Sequence, residues 1–532
     1  MTNILPFKTF QDVRQSLLSR QEIALIDVRE EDSFAQSHPL FAANFPASRI
    51  ELDAWRRIPR FDVPIVVYDN GEGFAKPSAR TFLRLGYTDV SLLDGGLDGW
   101  LRAGGEAFKD VNVPSKAFGE LVHSLRHTPS LSAEEVKALI DRQADIVVLD
   151  ARRFDEYQTM SIPTGISVPG AELVLRARAL APSATTHIIV NCAGRTRSII
   201  GTQSLLNAGI SNPVSALRNG TIGWTLAGQT LDHGASRQFI DAPDSHRAEA
   251  RHQARSVGDR AGVRRVQLSE LPGFADETDR TTYLYDVRTP EEFISGHLPG
   301  FLSAPGGQLV QETDVYAPVR GARIVLVDAE GVRANMTASW LAQMNWEVWV
   351  LDSVHAADFS ETGSSVAQLP EVRVPTVWVS PAQLAKWLRV EPVGQTVVLD
   401  LGTSANYVKG HIPGACFMLR SDLSRAIAQR PKAQRYALTC ETCLLARYAA
   451  VDLARTTGAD VVVLEGGTQA WAEADLPLEY GETCLTSPRI DHYRRPYEGT
   501  DNPHEAMKGY LDWEFGLVDQ LARDGTHGFK VI

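Results

Sequence analysis

The cysteines that end predicted strands are the residues of this 532-residue chain best placed to do chemistry. Cys192 follows an apolar strand at 187–190 and opens a short loop at 192–197, before a helix that we predict from Ser198. Backbone N–H groups of a tight loop and the dipole of the following helix favour negative charge. We therefore expect a lowered thiol pKa and a nucleophilic thiolate at Cys192, with the same donors holding an oxyanion beside it.

The rest of this loop supplies the predicted binding groups. Two permanent cations, Arg195 and Arg197, could neutralise an anionic substrate. The predicted substrate-binding set is Ala193, Gly194, Arg195, Thr196, Arg197 and Ser198.

A second loop, at 440–445, carries two cysteines and is open to several interpretations. It has Leu445 where the first loop has Arg197, and it adds Glu441, so the anion-binding charge is missing. Cys440 is either a second nucleophile, with Cys443 as the resolving thiol that would attack a sulfur bound to it, or a degenerate remnant. A zinc site would need two further ligands, and neither a second CxxC nor a paired histidine is evident, so we predict no metal.

These loops belong to a pattern that occurs four times. A strand ending in Asp is followed by a second strand ending in Asp or Cys, a loop and a helix. The spacing is 42 residues in the first three copies and 40 in the fourth, between Asp27 and Asp69, Asp150 and Cys192, Asp286 and Asp328, and Asp400 and Cys440. A strand running into a Gly-containing turn and a Trp ends copies one, two and four, and the third copy lacks it.

Short β-branched strands that alternate with helical stretches predict an α/β fold, with four tandem domains, each a parallel sheet covered by helices on both faces. We predict domains at 1–118, 128–235, 263–366 and 374–482. The polar segment 236–262 reads as an exposed helical connector. The tail, 483–532, has an amphipathic helix with Met507, Tyr510, Leu511, Val518 and Leu521 on one face, which either docks on a neighbouring domain or makes a dimer contact.

The chain resembles the rhodanese family of sulfurtransferases. The resemblance is carried by the Asp-x-Arg strand ends with their following Glu-Phe or Glu-Tyr, by GHLPG at 296–300 and GHIPGA at 410–415, by the cysteine loop and by the Gly-Gly-x-x-x-Trp segment. It implies the four-domain fold, and it implies that a loop cysteine takes sulfur from thiosulfate or a related donor as a persulfide and passes it to a thiol or cyanide. It places that role on Cys192, with no cofactor.

The resemblance also separates the four copies. Asp69 and Asp328 stand where the cysteine belongs, and a carboxylate is a poor sulfur acceptor that repels anions, so copies one and three are predicted to be silent. Asp150 and Arg152 either support the active loop or form an ion pair that holds the fold, because the same pattern recurs in the silent copies. Two rivals to a sulfurtransferase stay open. One is a sulfur-relay or binding scaffold, and the other is a phosphatase of the same fold, which the six-residue loop disfavours.

Composition limits the partners and the compartment. A net charge of −12 without a long basic run argues against nucleic acid, and the longest apolar stretches fall far short of a membrane span. The N-terminus resembles no secretory leader, so we expect a cytoplasmic protein, and a homo-oligomer stays open. Five cysteines in such a chain predict reduced thiols rather than a disulfide framework, with Cys416 and Cys484 as structural or incidental thiols.

Overall fold

The computed structural model describes residues 5–365, 368–372, 376–428 and 433–532. The predicted domain limits at residues 1, 366 and 374 lie outside these ranges.

The first two copies are built from similar elements. The first contains β1 (Phe7–Lys8), α1 (Phe10–Ser19), β2 (Ala24–Asp27), α2 (Glu31–Gln36), β3 (Ala43–Asn44), α3 (Ile50–Arg57), β4 (Ile65–Tyr68), α4 (Ala75–Arg84), β5 (Val90–Leu93) and α5 (Gly96–Arg102), and α6 (Val113–Arg126) follows it. The second contains β6 (Ser130–Leu131), α7 (Ala133–Asp141), β7 (Ile146–Asp150), α8 (Phe154–Thr159), β8 (Ile166–Ser167), a 3-10 turn (Gly170–Glu172), α9 (Leu173–Leu180), β9 (His187–Asn191), α10 (Thr196–Ala208), β10 (Val214–Leu217) and α11 (Gly220–Leu226).

The helix α12 (Asp244–Arg260) precedes the second half. The third copy contains β11 (Arg264–Gln267), a 3-10 turn (Leu268–Glu270), α13 (Leu271–Asp276), β12 (Thr282–Asp286), α14 (Pro290–Ser295), β13 (Leu302–Ser303), α15 (Gly306–Gln311), α16 (Thr313–Tyr316), β14 (Arg323–Val327), α17 (Val332–Gln343), β15 (Glu347–Asp352) and a 3-10 turn (Ala356–Asp358). The fourth contains β16 (Trp378–Val379), α18 (Pro381–Val390), β17 (Thr396–Asp400), α19 (Ser404–Lys409), β18 (Cys416–Phe417), a 3-10 turn (Arg420–Asp422), α20 (Leu423–Ala428), β19 (Arg435–Thr439), α21 (Leu444–Thr456), β20 (Asp460–Leu464) and α22 (Gly467–Glu473). The tail has α23 (His504–Phe515) and α24 (Leu517–Asp524).

Each copy forms one five-stranded parallel sheet, and all four sheets have the same strand order, β1-β5-β4-β2-β3 in the first. The strand that ends in the repeated Asp and the strand that leads into the loop, called here the first and second landmark strands, pair in the same register in all four copies. The terminal Asp of the first lies opposite the last residue of the second: Asp27 opposite Tyr68, Asp150 opposite Asn191, Asp286 opposite Val327, and Asp400 opposite Thr439. The next residue along the chain is Asp69, Cys192, Asp328 or Cys440. The predicted fold class is confirmed. The recurring spacing of 40 to 42 residues follows from this common strand register.

The segments between copies are more deeply packed than the sequence suggests. Helix α6 runs through the limit predicted near residues 118–128 and is buried over most of its length. The connector contains a helix, as predicted, and most of its residues are exposed or half-buried, but one face is buried. Its small residues Ala250, Ala254 and Gly258, with Val257, lie on one buried face that packs on α9, α10 and α17.

The tail forms two helices rather than one, with a break at Gly516. Of the predicted apolar face, Met507, Tyr510, Leu511 and Leu521 are buried and Val518 is half-buried. Both helices pack on α6, and α23 also contacts α11. The tail therefore docks within its own chain.

Two of the cysteines contradict the expectation of reduced thiols, because Cys416 and Cys484 form a disulfide. The chain leaving the fourth copy returns beside β18, where Phe417 and Leu485 pair in parallel and the Phe417 N–H donates to the Cys484 carbonyl. This places the two Cα atoms 4.7 Å apart. The two residues are 68 apart in sequence, so neighbouring-residue patterns carry no sign of the contact.

Among the helices of the described ranges, none combines the length and the apolar character that crossing a bilayer requires.

The disulfide predicts a thiol count. Denatured, unreduced protein should react with a thiol reagent at three cysteines, and reduced protein at five. Cys484→Ser should lower the free energy of unfolding by about 4 kcal/mol, because a bridge across a long loop restricts the unfolded chain by that order. Cys443→Ser is the matched control and should have little effect. Five reactive thiols before reduction would contradict the bridge.

Candidate active site

Cys192 lies where the sequence places it, directly after β9 and four residues before α10. Its side chain is buried, at 1% exposure. The thiol donates to Ser198 Oγ at 3.4 Å, and that hydroxyl donates to the Arg195 carbonyl at 2.9 Å. Helix α10 begins at Thr196 rather than at Ser198, so two of the predicted loop residues belong to its first turn.

The first turn of α11 holds the Cys192 loop by hydrogen bonds to its carbonyls. The N–H groups of Thr221 and Ile222 donate to the carbonyls of Cys192 and Ala193 at 2.9 and 3.0 Å. Gly220 has φ +54° and lies so close that a Cβ there would be 2.2 Å from the Cys192 carbonyl oxygen. Glycine is therefore required at the turn that follows β10.

The expected lowering of the thiol pKa is wrong for this closed site. Burial raises the pKa of Cys192, and the charge of Arg197 and the hydrogen bonds of Ser198 offset this only in part.

The two loop arginines are already paired. Arg195 donates from Nε and Nη2 to Glu120 of α6 at 2.6 and 2.8 Å, and from Nη1 to Asn219 at 3.1 Å. Arg197 donates from Nη1 and Nη2 to Glu156 at 2.7 and 2.9 Å. Burial alone would raise the pKa of Glu156, but Arg197 brings it down to about 2. The Arg197 Nε is left without a protein acceptor within the described ranges, whereas every guanidinium nitrogen of Arg195 has one.

The Arg197–Glu156 pair recurs in the third copy, where the cysteine is absent. Arg333 holds the position of Arg197, and Glu292 holds that of Glu156. Arg333 is fully buried and donates to both oxygens of Glu292, at 2.5 and 3.0 Å, and also to Glu172 of the second copy at 2.8 Å. This ion pair is therefore part of the fold, whatever else it does in the second copy.

The aspartates of copies one and three fill the loops in which they stand. Asp69 accepts from the N–H groups of Gly71 and Ala75, at 3.1 and 2.9 Å. Asp328 accepts from those of Val332 and Arg333, both at 3.1 Å. In each loop a carboxylate of the chain itself occupies backbone donors that an anion would otherwise use.

Asp150 and Arg152 form a buried ion pair at the end of β7. Arg152 donates to both carboxylate oxygens at 2.9 and 2.8 Å and to the Met160 carbonyl at 2.6 Å, while Asn191 donates to Asp150 at 2.7 Å. The pairs Asp27–Arg29 and Asp286–Arg288 repeat this geometry, with the carbonyls of Ser37 and Gly296 as the further acceptors. Of the two interpretations of the pattern, its geometry fits the ion pair that holds the fold.

The fourth loop presents carboxylates instead of cations. Cys440 is 2% exposed, and burial together with the charge of Glu441 raises its pKa to about 11, although backbone N–H groups act against this. Glu441 accepts from the Thr403 N–H at 2.8 Å and from Asn406 Nδ2 at 2.9 Å. Cys443 lies at the N-cap of α21 with φ +67° and is half-buried.

The cover over the Cys192 loop comes from the tail, which sequence reasoning did not connect with the site. Ala193 and Ile222 form an apolar cluster with Tyr497, Met507, Tyr510 and Leu511. The ring of Phe515 lies 4.4 Å from the Arg195 guanidinium. The apolar face of the tail was visible in the sequence, but nothing in it identified the surface that the face covers.

Two cavities flank the covered loop. One, of about 190 Å³, lies beside Arg197 and is lined by Glu156 from the second copy, Glu312 from the third and Tyr497 from the tail. The other, of about 450 Å³, is lined by Arg195, Ser198 and Phe515. Because Ser198 also accepts the hydrogen bond from the Cys192 thiol, the larger cavity is separated from the sulfur by one side chain.

The closed site predicts an order of thiol reactivity. Under native conditions iodoacetamide should modify the half-buried Cys443 before Cys192 or Cys440, because access limits the reaction of a buried thiol. Tyr510→Ala, which removes a ring packed against Gly194, should speed modification of Cys192 several-fold, whereas the exposed-residue control Tyr480→Ala should not. Site-resolved mass spectrometry gives the rates. Cys192 reacting as fast as Cys443 in the unaltered protein would show that the tail does not shield it.

Comparison with known proteins identifies the family of the chain. The sequence matches the Rhodanese-like domain family over residues 10–103, 132–227, 270–353 and 380–474. A crystal structure of thiosulfate sulfurtransferase from Pseudomonas aeruginosa is 64% identical, with a TM-score of 0.98, over 99% of this chain and 100% of that one. A rhodanese-like domain protein from Staphylococcus aureus is 22% identical over 20% of this chain and 100% of its own, with a TM-score of 0.18. A rhodanese-related protein from Thermoplasma volcanium is 22% identical over 19% of this chain and 97% of its own, also with a TM-score of 0.18. With four family matches along its length, the chain belongs to the rhodanese family.

Proposed function

We propose that this rhodanese-type sulfurtransferase takes sulfane sulfur from thiosulfate onto Cys192 as a persulfide and passes it to a thiol or to cyanide. One observation carries the assignment of the residue. Among the four strand-end loops, all within the described ranges, only that of Cys192 combines a thiol with an arginine at the sixth position. The relative from Pseudomonas aeruginosa supports thiosulfate as the donor.

The proposed reaction has two displacement steps. The Cys192 thiolate forms a bond to the outer sulfur of thiosulfate, the S–S bond of the donor breaks, and its electron pair leaves with sulfite. An acceptor thiolate or cyanide then attacks the outer sulfur of the persulfide, and Cys192 leaves as a thiolate. The acceptor becomes a persulfide or thiocyanate, so no external oxidant or reductant is required.

Of the two loop arginines, Arg197 is the better candidate for binding thiosulfate. Its Nε–H is unused by protein, while Glu156 holds the rest of the guanidinium in place. Each guanidinium nitrogen of Arg195 already donates to Glu120 or Asn219, so we assign it the role of fixing the loop to α6. In this proposal the remaining predicted loop residues, Ala193, Gly194, Thr196 and Ser198, contribute position and backbone donors.

In this proposal the other three copies do not take sulfur from thiosulfate. Asp69 and Asp328 occupy their own loop donors, which leaves no place for an anionic donor. Cys440 has no cation in its loop to offset burial as Arg197 does for Cys192, and Glu441 adds to the rise of its pKa to about 11. These features favour a degenerate remnant over a second nucleophile resolved by Cys443.

A sulfur-relay role is the second candidate, and the burial of Cys192 favours it, because a covered persulfide is protected from solvent until a partner collects it. Stable persulfide with negligible turnover on small acceptors would distinguish this role from an enzyme acting on free thiols. The proposed compartment is the cytoplasm, where cellular thiols would tend to reduce the Cys416–Cys484 bridge.

Incubation with thiosulfate should add one sulfur atom to the protein, visible by intact mass. Cys192→Ser should abolish this addition, because serine cannot form a persulfide. Cys440→Ser is the matched control from the fourth copy and should keep most of the loading rate. If the Cys192→Ser protein still gains the sulfur, or keeps half or more of the thiosulfate-dependent rate, the assignment is wrong.

The repeat also supplies a control for Arg197. Arg197→Met should slow loading about 10- to 100-fold, since a hydrogen bond to a charged group contributes ~1.5–3 kcal/mol. Arg333→Met, the equivalent change in the third copy, should leave loading within about twofold, because the side-chain hydrogen bonds of Arg333 go to Glu172, Glu292 and Glu330 and not to the Cys192 loop. Each variant should lower the free energy of unfolding by about 1–3 kcal/mol, since each leaves a partly exposed glutamate without its arginine. Equal loading rates in the two variants would contradict a substrate role for Arg197.

A further inference from the structure

The tail brings one acidic side chain, Glu514, to the Cys192 loop. Glu514 lies on α23 and is fully buried, at 0% exposure. Its Oε1 accepts a hydrogen bond from the Tyr510 hydroxyl at 2.9 Å. Its Oε2 is buried and has no hydrogen-bond partner in the described part of the chain. A buried carboxyl oxygen without a partner is costly, so its position needs a reason.

The unpartnered oxygen points at the loop. A Cβ built on Gly194 would lie 3.4 Å from Glu514 Oε2 and 3.1 Å from the Tyr510 ring. Gly194 is the third residue of the loop that begins at Cys192. Glycine therefore leaves room for a polar atom of the tail directly against the loop.

The charges around Glu514 do not neutralise a carboxylate. Lys116 of α6 is bound to Asp110 at 2.7 Å, and Arg195 is bound to Glu120. Glu120 has the same sign as Glu514. Burial and Glu120 raise the pKa of Glu514 to about 8, against the smaller effects of Lys116, Tyr510 and Arg195. Because Tyr510 donates to Oε1, the proton of the neutral acid belongs on Oε2.

We propose that Glu514, as a neutral acid, completes the Cys192 site from the tail by donating a hydrogen bond from Oε2 to the anionic group bound on the loop. The inference rests on the proposed sulfur transfer through Cys192 and adds a binding residue from outside the repeats. The neutral acid adds a donor without a charge. The carboxylate would lose that donor and repel both a dianionic donor and the Cys192 thiolate.

The sign of the pH dependence follows. Below about pH 8, Glu514 is neutral and supports binding, and above it the carboxylate opposes both the donor and the thiolate. In the unaltered protein the loading rate should rise with pH as Cys192 ionises and then level off as Glu514 loses its proton. Thiosulfate stays a dianion over this range and contributes no change of its own.

The test is the single-turnover rate of sulfur addition to the Cys192 peptide by thiosulfate between pH 6 and pH 9.5, without acceptor. Glu514→Gln keeps the shape and an uncharged donor at all pH values. The ratio of its rate to that of the unaltered protein should rise about tenfold or more from pH 7 to pH 9.5. Asp512→Asn, an exposed carboxylate on the same helix, should give a constant ratio.

A second variant keeps the test decisive if Glu514→Gln folds poorly. Tyr510→Phe retains the ring against Gly194 but removes the hydrogen bond to Oε1, which should raise the pKa of Glu514 and move the levelling-off to higher pH. A constant Glu514→Gln ratio in folded protein, or an unmoved profile in Tyr510→Phe, would overturn the inference. Failure of the unaltered protein to gain sulfur at any pH would instead overturn the proposed function.

Discussion

Each second landmark strand leads into a loop whose backbone N–H groups need acceptors. Which side chain meets these N–H groups decides what each loop can bind. In copies one and three the carboxylates of Asp69 and Asp328 accept from these donors. In the second copy Cys192 makes its hydrogen bond to the Ser198 side chain instead. One fold thus supports loops that carry their own carboxylate and a loop in which a thiol stands in its place. The difference is the single residue that follows the strand.

An arginine–glutamate ion pair accompanies that residue in two of the copies. The Arg197–Glu156 and Arg333–Glu292 pairs link a loop to the helix that follows the first landmark strand, and they persist with or without a cysteine. Copies one and four have lost both members together, with Phe74 and Ser33 in one and Leu445 and Asn406 in the other. A lone buried glutamate or arginine would be strongly destabilising, which explains why the members come and go as pairs. In our proposal, sulfur transfer at Cys192 therefore uses a cation that the fold already requires.

The repeat was predictable because its information is local. A strand must end in Asp, pair in a fixed register and turn into a loop, and each requirement leaves residues at a regular spacing. The cysteine loop, its arginines and the aspartates in the other copies could all be found in this way. The partners of those residues could not, because Glu120 approaches Arg195 from α6 and Glu514 approaches Gly194 from a tail more than 300 residues away in sequence. The Cys416–Cys484 bridge was missed for the same reason, and the lowered thiol pKa was wrong because burial cannot be read from a single loop.

Burial sets the charge balance of the site. Arg195 and Arg197 are each matched by a glutamate, so the loop and its immediate partners are close to neutral despite two arginines. Burial favours the uncharged forms of both Cys192 and Glu514, and a negative charge on either raises the pKa of the other. When Cys192 and Glu514 are both neutral, the Arg197 Nε–H and the Glu514 carboxyl are hydrogen-bond donors without a protein acceptor. In our proposal both of these donors face a single anion. Such a site is suited to hold one incoming anion while Cys192 gives up its proton, and the tail, by covering the loop, keeps water from competing for the same donors.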